Sequence, residues 1–220
     1  MIENQNIAAE VANLLLQINA IKLSPQKPFT WASGLKSPIY CDNRLTLSYP
    51  AVRNQLLECF VHKYKCMQYD VPIDYIAGVA TAGIPHGAML ADRLGLPFIY
   101  VRSKAKAHGR QNQIEGQIQG TPNVLVIEDL ISTGGSSLAA VEALRAANCN
   151  VIATLAIFTY GFDQSVKAFQ EANCPLDTLS NYNALIEIAQ AERIIESDQI
   201  DLLKQWRQNP HLWSEQMKNA

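Results

Sequence analysis

The sequence predicts an α/β fold in which a central parallel sheet is flanked by helices and carries a small N-terminal unit. Four short apolar stretches between residues 74 and 158 alternate with segments of helical periodicity, a pattern typical of parallel strands joined by right-handed crossovers. Residues 124–127 are apolar without polar alternation, as expected of a central strand covered on both faces. A chain of 220 residues is long enough for one core with a small appended piece.

Local signals support the individual elements. Residues 6–21 place apolar side chains at helical spacing, and residues 29–42 predict a β-hairpin with its turn at Ser33–Gly34 or Leu35–Lys36. Pro50 suits the first turn of a helix, and Gly95 suits the end of one. The predicted helices are 6–21, 49–65, 83–95, 138–148, 182–195 and 198–207, and the predicted strands are 74–80, 97–101, 124–127 and 151–158.

Composition argues against several classes of protein. The net charge of −2 and the isoelectric point near 6.1 provide no overall attraction to nucleic acids or anionic membranes. The five cysteines are odd in number and contain no C-x-x-C pair, as expected of reduced thiols in a cytoplasmic protein. The N-terminus lacks the pattern of a signal peptide, and no apolar stretch approaches the ~20 residues of a membrane helix. We therefore expect a cytoplasmic protein without nucleic-acid or membrane partners.

A candidate site follows the apolar strand at 124–127. Residues 132–137 (STGGSS) connect this strand to a helix, so their free backbone N–H groups and the helix dipole favour a bound anion. The glycines allow close approach of a phosphate, and the hydroxyls add donors. Glu128 and Asp129 lie beside this loop, where carboxylates would repel a phosphate but bind vicinal hydroxyls. The combination predicts a phosphorylated ribose as ligand, and an ordinary strand, turn and helix is the alternative.

The basic segment at residues 102–110 (RSKAKAHGR) is a second candidate. It holds four fixed positive charges and His108 within nine residues and has no apolar stripe. Such a segment cannot pack by itself, so we expect a mobile loop, and a solvated loop without function is the alternative. Because the segment lies between two predicted strands, at the carboxyl end of the sheet where ligands bind, we favour a role with an anionic ligand.

Residues 124–137 (VLVIEDLISTGGSS) resemble the phosphoribosyl-diphosphate (PRPP) signature of type I phosphoribosyltransferases. Three further stretches resemble the orotate phosphoribosyltransferases, one branch of that family. These stretches are residues 29–40 (FTWASGLKSPIY), 78–85 (GVATAGIP) and 100–109 (YVRSKAKAHG). The resemblance extends over nearly the whole chain, from the first helix to Trp206.

This resemblance implies an enzyme that transfers a ribose 5-phosphate group from PRPP to orotate, giving orotidine 5′-phosphate and pyrophosphate in pyrimidine synthesis. It implies Mg²⁺ held mainly by substrate and water, with no protein metal ligand. It also implies a homodimer in which the loop at 102–110 acts on the partner's site. Residues 1–48 are expected to form an N-terminal helix and a hood over the base, 49–175 the PRPP-binding core, and 176–220 C-terminal helices on the same domain.

The resemblance also implies roles for individual residues. The implied catalytic residues are Arg102, Lys106, His108 and Asp129. Ser132 is implied to contact orotate. The implied PRPP-binding residues are Arg102, Lys106, His108, Glu128, Asp129, Leu130, Ile131, Ser132, Thr133, Gly134, Gly135 and Ser136.

Some family members carry Lys or Arg at four positions where this sequence does not, namely Ala32, Ala82, Ser103 and Tyr160. Lys36, Thr81 and Arg44 are candidates to compensate for these losses. Two other functions are weighed as alternatives: a purine-type phosphoribosyltransferase and a PRPP-sensing regulator without catalysis. The hood sequence and the basic loop argue against the purine-type enzyme, and no added nucleic-acid-binding region supports the regulator.

Overall fold

A six-stranded sheet with helices on both faces forms the centre of the molecule. The computed structural model describes residues 4–31, 33–67, 71–103 and 113–218. Its elements in chain order are α1 (Asn4–Gln17), β1 (Ile21–Leu23), β2 (Phe29–Thr30), β3 (Lys36–Ser37), β4 (Ile39–Cys41), a 3-10 helix (Asn43–Ser48), α2 (Pro50–Cys66), β5 (Tyr75–Val79), α3 (Gly83–Leu94), β6 (Phe98–Val101), β7 (Ile114–Glu115), β8 (Asn123–Ile131), α4 (Gly135–Ala146), β9 (Asn150–Thr159), α5 (Asp163–Glu171), β10 (Leu176–Asn181), α6 (Tyr182–Ala191), α7 (Ser197–Gln208) and α8 (Pro210–Gln216).

The strand order of the central sheet is β10-β9-β8-β5-β6-β7, in which only the short edge strand β7 is antiparallel to its neighbour. The predicted α/β class with a central parallel sheet is therefore confirmed. The strands β7 and β10 were not predicted from the sequence. β7 has two residues, and β10 mixes polar with apolar residues at the opposite edge, so neither carries the apolar signature of a central strand.

Strand β8 explains why residues 124–127 are uniformly apolar. All four side chains are fully buried, yet they face alternate sides of the sheet. Leu125 and Ile127 join the core under α1, α2, α3 and α6, whereas Val124 and Val126 join the core under α4 and α5. Successive side chains of a strand point to opposite faces, so a strand with a helical layer on each side needs apolar residues at every position.

The N-terminal hairpin and the end of the chain meet. β2 pairs with β3 in antiparallel register, and Gly34 (φ 82°) donates its N–H to the Trp31 carbonyl at 2.8 Å, which confirms the turn at Ser33–Gly34. The backbone N–H of Lys36 donates to the Ser214 hydroxyl at 2.8 Å, joining β3 to α8. Helix α8 was not predicted, because a proline a few residues beyond a helix usually marks the end of helical structure. Pro210 instead opens α8, with the Asn209 side chain accepting from Leu212 N–H at 3.0 Å.

Other boundaries differ from the prediction by a few residues. β8 continues to Ile131, so the two acids at 128 and 129 belong to the strand rather than to the segment after it. α4 begins at Gly135 rather than at 138, which shortens the connecting loop to residues 132–134. The division into segments 1–48, 49–175 and 176–220 stays a prediction. Across the described ranges, no helix combines the length and the apolar character needed to cross a membrane.

Candidate active site

The acid pair lies in the second half of β8, toward the carboxyl edge of the sheet. Glu128 is 4% exposed, and its carboxylate accepts hydrogen bonds from the Ser137 hydroxyl and the Asp129 N–H, each at 3.0 Å. Burial, followed by the neighbouring charge of Asp129, raises the pKa of Glu128 from its ordinary value of 4.5 to about 8. Burial also raises the pKa of Asp129. Two charged carboxylates are therefore costly here unless a ligand compensates them.

We expect Glu128→Gln to reduce the loss of stability that the ligand-free protein undergoes as pH rises from about 4.5 to about 8. The folded state holds the Glu128 proton more tightly than the unfolded state, so the stabilisation is complete below pH 4.5 and is lost as pH rises through about 8. One unit of pKa difference corresponds to ~1.4 kcal/mol, so the variant should gain at least about 1 kcal/mol relative to wild type between pH 6 and pH 9. Urea unfolding at the two pH values measures this difference.

Glu142→Gln is the matched control, because Glu142 is an exposed residue of α4. Its free energy of unfolding should follow the pH dependence of wild type. A Glu128→Gln variant that loses as much stability as wild type between pH 6 and pH 9 would contradict the burial argument.

The segment after β4 is hydrogen-bonded to the strand that carries the acid pair. Asn43 is buried, and its amide donates to the main-chain carbonyl of Asp129 at 2.7 Å. Asp42 accepts two hydrogen bonds from the Arg44 guanidinium, at 2.6 and 2.8 Å, and these bonds lower the pKa of Asp42. Sequence reasoning missed Asn43. The polar run at residues 42–44, directly after β4, was the available signal.

A polar cavity of about 390 Å³ surrounds the acid pair. It lies where the carboxyl ends of β5 and β8 meet the start of α4, as expected for a ligand site in a parallel sheet. Four of the predicted site residues line it, and they are joined by residues from β4 and the β5–α3 loop. The lining residues are Cys41, Asp42, Arg44, Ala80, Thr81, Ala82, Glu128, Asp129, Leu130 and Ser136.

The loop at residues 132–134 turns sharply from β8 into α4. Gly134 has a φ of 85°, and a Cβ at this position would lie 2.9 Å from the Phe169 ring, so only glycine fits. Thr133, Gly135 and Ser136 are exposed beside the turn. Because the first N–H groups of a helix have no intrahelical partner, this turn offers donors to an anion. The predicted residue Ile131 is different, since its side chain is buried in the core under α4 and α5.

A second cavity, of about 310 Å³, has an aromatic wall. The rings of Trp31 and Tyr160 stack with centroids 5.7 Å apart and an interplanar angle of 29°, and Trp206 packs edge-on against both. The lining residues are Thr30, Trp31, Tyr40, Cys41, Leu130, Ser132 and Tyr160. This lining contains no charged side chain among the described residues, and it suits a flat heterocyclic ring.

The two cavities adjoin, because Cys41 and Leu130 line both of them. A ligand with a phosphorylated sugar in the polar cavity can therefore meet a flat base in the aromatic cavity. Ser132 borders the aromatic cavity and Ser136 borders the polar one. The loop therefore contributes to the aromatic cavity, and the start of α4 contributes to the polar cavity.

The start of the basic loop is placed at the end of β6. Arg102 donates its backbone N–H to the Gln113 carbonyl at 2.8 Å, and its guanidinium lies 3.5 Å from a carboxylate oxygen of Glu115. Lys106 and His108, which were predicted to act with Arg102, lie outside the described residues. Their roles stay predictions.

The structure describes three of the four positions at which this sequence lacks the Lys or Arg that some family members carry. Ala82 lines the polar cavity at the N-terminal end of α3, and Ser103 is exposed directly after Arg102. Tyr160 lies in the wall of the aromatic cavity, where burial raises its pKa well above its ordinary value. Tyr160 therefore offers a neutral ring rather than a charge. Ala32 lies outside the described residues.

Comparison with known proteins agrees with this geometry. Residues 62–189 match the family described as the phosphoribosyl transferase domain. The chain is 52% identical over 208 residues to an orotate phosphoribosyltransferase of Listeria innocua, covering 94% of this chain and 99% of that protein. It is 53% identical over 201 residues to one of Bacillus pumilus, covering 91% of this chain and 94% of that protein. The crystal structure of orotate phosphoribosyltransferase from Aeropyrum pernix superposes with a TM-score of 0.70 at 26% identity, covering 84% of this chain and 99% of that chain.

The fold, the strand-end site and the domain match together define a phosphoribosyltransferase, an enzyme of the transferase class. Sequence identity above 50% over more than 90% of the chain assigns it to one family within this class. The chain belongs to the orotate phosphoribosyltransferase family.

Proposed function

We propose that this protein transfers a ribose 5-phosphate group from PRPP to orotate, releasing pyrophosphate and forming orotidine 5′-phosphate, a step of UMP synthesis. The observation that carries this proposal is the pair of adjoining cavities. One is polar and contains an acid pair beside a helix N-terminus, and the other is aromatic and suits a flat base. The names of relatives at 52% and 53% identity support the same substrates.

Each part of the site then has a role. The backbone and hydroxyls of residues 132–136 hold the 5′-phosphate, because the N–H groups at the start of α4 favour an anion. Glu128 and Asp129 accept hydrogen bonds from the 2′- and 3′-hydroxyls of the ribose, which gives the costly acid pair a partner. Ser132 contacts the base. Arg102, Lys106 and His108 approach the pyrophosphate when the basic loop closes.

The reaction exchanges one bond at ribose C1 for another. The bond from C1 to the pyrophosphate oxygen breaks with its electron pair leaving on pyrophosphate. The lone pair of orotate N1 forms the new bond to C1, and the proton on N1 is lost to the departing pyrophosphate or to water. Charge develops on pyrophosphate and on the ribose ring, so the protein contributes positioning and electrostatic stabilisation. Cys41 borders both cavities, but burial raises the pKa of its thiol, so it is not a thiolate nucleophile. We therefore propose that the base attacks ribose C1 directly, without a covalent intermediate on this thiol.

Mg²⁺ fits this site as a cation that binds together with the substrate PRPP. The described residues contain no group of three or more His, Cys, Asp or Glu placed to hold a metal ion. The polar cavity nevertheless presents oxygen atoms of Thr81 and Asp129, which suit a hard cation that keeps most of its water. When bound, Mg²⁺ supplies positive charge to pyrophosphate, with PRPP oxygens and water as its main ligands.

The experiment that tests the function supplies PRPP and Mg²⁺ with one base at a time: orotate, uracil, adenine, guanine or xanthine. The absorbance of orotate reports its consumption, and a pyrophosphate assay reports the reaction with every base. We expect pyrophosphate release with orotate. Release with a purine base instead would favour a purine-type enzyme, and no release with any base would favour a regulator.

We further propose a cytoplasmic homodimer in which the loop at 102–110 completes the partner's site. The loop begins at the sheet edge, beside the strand ends that form the site, and its sequence has no apolar stripe that could pack against its own subunit. A two-fold dimer is the commonest closed assembly and gives each loop access to the other subunit.

Subunit mixing tests this arrangement. Lys106→Ala and Asp129→Ala are each expected to be inactive, but a mixed dimer has one site with both residues intact. Random pairing makes about half of the dimers mixed, so activity should recover to about a quarter of wild type if the sites are independent. A mass tag confirms that subunits have exchanged. No recovery despite exchange would show that each loop serves its own subunit.

A further inference from the structure

The lining of the aromatic cavity does not balance the negative charge of the orotate carboxylate. Orotate is a pyrimidine with a carboxylate, and a carboxylate that is moved out of water needs a cation or several hydrogen-bond donors. Within the part of the chain that the structure describes, the cavity lining supplies hydroxyls, rings and a thiol but no cation. Tyr160 supplies no positive charge, because it is a neutral phenol whose pKa is raised well above its ordinary value by burial.

Lys36 brings a positive charge to the rim of this cavity. Its ammonium group donates to the hydroxyl of Thr30 at 3.0 Å, and Thr30 lines the cavity. The ammonium is thus one hydrogen bond away from the cavity wall. Thr30 and Lys36 are also cross-strand partners in the β2–β3 ladder, so their side chains share one face of the hairpin.

The other two cations that the described residues place around the site are engaged with carboxylates. Arg44, at the polar cavity, is held by Asp42, and Arg102 lies close to Glu115. Among the described residues, no ion pair involves Lys36, whose acceptor is a neutral hydroxyl. A carboxylate at the cavity rim can replace that hydroxyl without breaking a salt bridge.

The position of Lys36 is set by the fold rather than by the hairpin alone. Its backbone N–H donates to the hydroxyl of Ser214, which is fully buried in α8. The neighbouring Trp31 donates its indole N–H to the Ile39 carbonyl at 3.0 Å and packs against Trp206 of α7. The hood strand that carries Lys36 is therefore anchored by the C-terminal helices, which places its charge reproducibly at the cavity.

We propose that Lys36 is the residue that recognises the carboxylate of the base, and that it makes this protein select orotate over uracil. This inference rests on the proposed function and assigns the specificity of the same site. A charge-assisted hydrogen bond between ammonium and carboxylate is stronger than a neutral one, and uracil lacks the group that would receive it.

The test compares Lys36→Met and Lys36→Arg with wild type, using orotate and uracil as the base. Lys36→Met should raise the KM for orotate at least about ten-fold and leave the KM for PRPP unchanged, since removing a charged hydrogen bond costs more than a neutral one. The preference for orotate over uracil, expressed as the ratio of kcat/KM values, should fall by a similar factor. Lys36→Arg keeps the charge and should retain most of the preference.

Lys27→Met is the matched control, because it removes the same charge from an exposed position just before β2. Its kinetics should equal those of wild type. A Lys36→Met variant with an unchanged orotate KM, or with equal losses toward orotate and PRPP, overturns this inference alone. A wild-type protein that transfers nothing to orotate overturns the proposed function and this inference with it. Circular dichroism of each variant confirms that the fold is retained.

Discussion

Replacement of Lys106 by alanine is expected to lower kcat by about 10²–10³-fold, the loss typical when one group that stabilises developing charge is removed. In the proposed mechanism, Lys106 meets the charge that accumulates on pyrophosphate as the bond to C1 breaks. Because this charge is larger in the transition state than in bound PRPP, kcat should fall far more than the KM for orotate rises. Steady-state kinetics with both substrates varied measures the two effects.

Lys104→Ala is the matched control for this prediction, because it removes an equal charge from the same basic loop. Its kcat should fall by less than about ten-fold, because the proposed mechanism assigns this charge no contact with pyrophosphate. Equal losses in the two variants would mean that only the total charge of the loop matters. An effect of Lys106→Ala confined to the KM for orotate would mean that the loop binds the base instead.

Replacement of Asp129 by asparagine is expected to lower kcat/KM for PRPP by about 10–150-fold, which corresponds to the ~1.5–3 kcal/mol of one hydrogen bond to a charged group. Asparagine has nearly the same shape but lacks the charge that the ribose hydroxyls meet. The contact between Asn43 and residue 129 uses the main-chain carbonyl, so the substitution leaves it in place. PRPP titrations at saturating orotate give the values.

Asp201→Asn serves as the control, since Asp201 is an exposed residue of α7. Its kinetics should match wild type. Unchanged use of PRPP by a well-folded Asp129→Asn protein would rule out a bond between this carboxylate and the ribose.

Local sequence patterns were sufficient to predict the central strand β8 and the acid pair and glycine turn at its carboxyl end. The apolar run at 124–127, the acid pair after it and the glycine turn are contiguous, so their chemistry and mutual position follow from a short stretch of chain. The helices α2, α3 and α7 were also predicted within about three residues of their observed ends, because amphipathic spacing and terminal Pro or Gly residues are local signals.

The aromatic cavity was beyond the reach of sequence reasoning. Trp31, Tyr160 and Trp206 are far apart along the chain, and the sequence indicated only that Tyr160 stands where some family members carry a basic residue. The wall of this cavity depends on α7, because the buried ring of Trp206 packs edge-on against Trp31 and Tyr160, which line the cavity. Such long-range contacts leave no periodic pattern in any single segment.

The sequence by itself determined the class of fold and the position of the glycine turn and the acid pair, because strand burial and helix termini each require particular residues at adjacent positions. The tertiary structure decided how the two halves of the site meet. Cys41 and Leu130 come to line both cavities. Ser214 of α8 accepts a hydrogen bond from β3, and Asn43 donates one to β8. These contacts join residues 86 and 178 positions apart in the chain, and only the packing of the whole domain brings such distant groups within hydrogen-bonding distance.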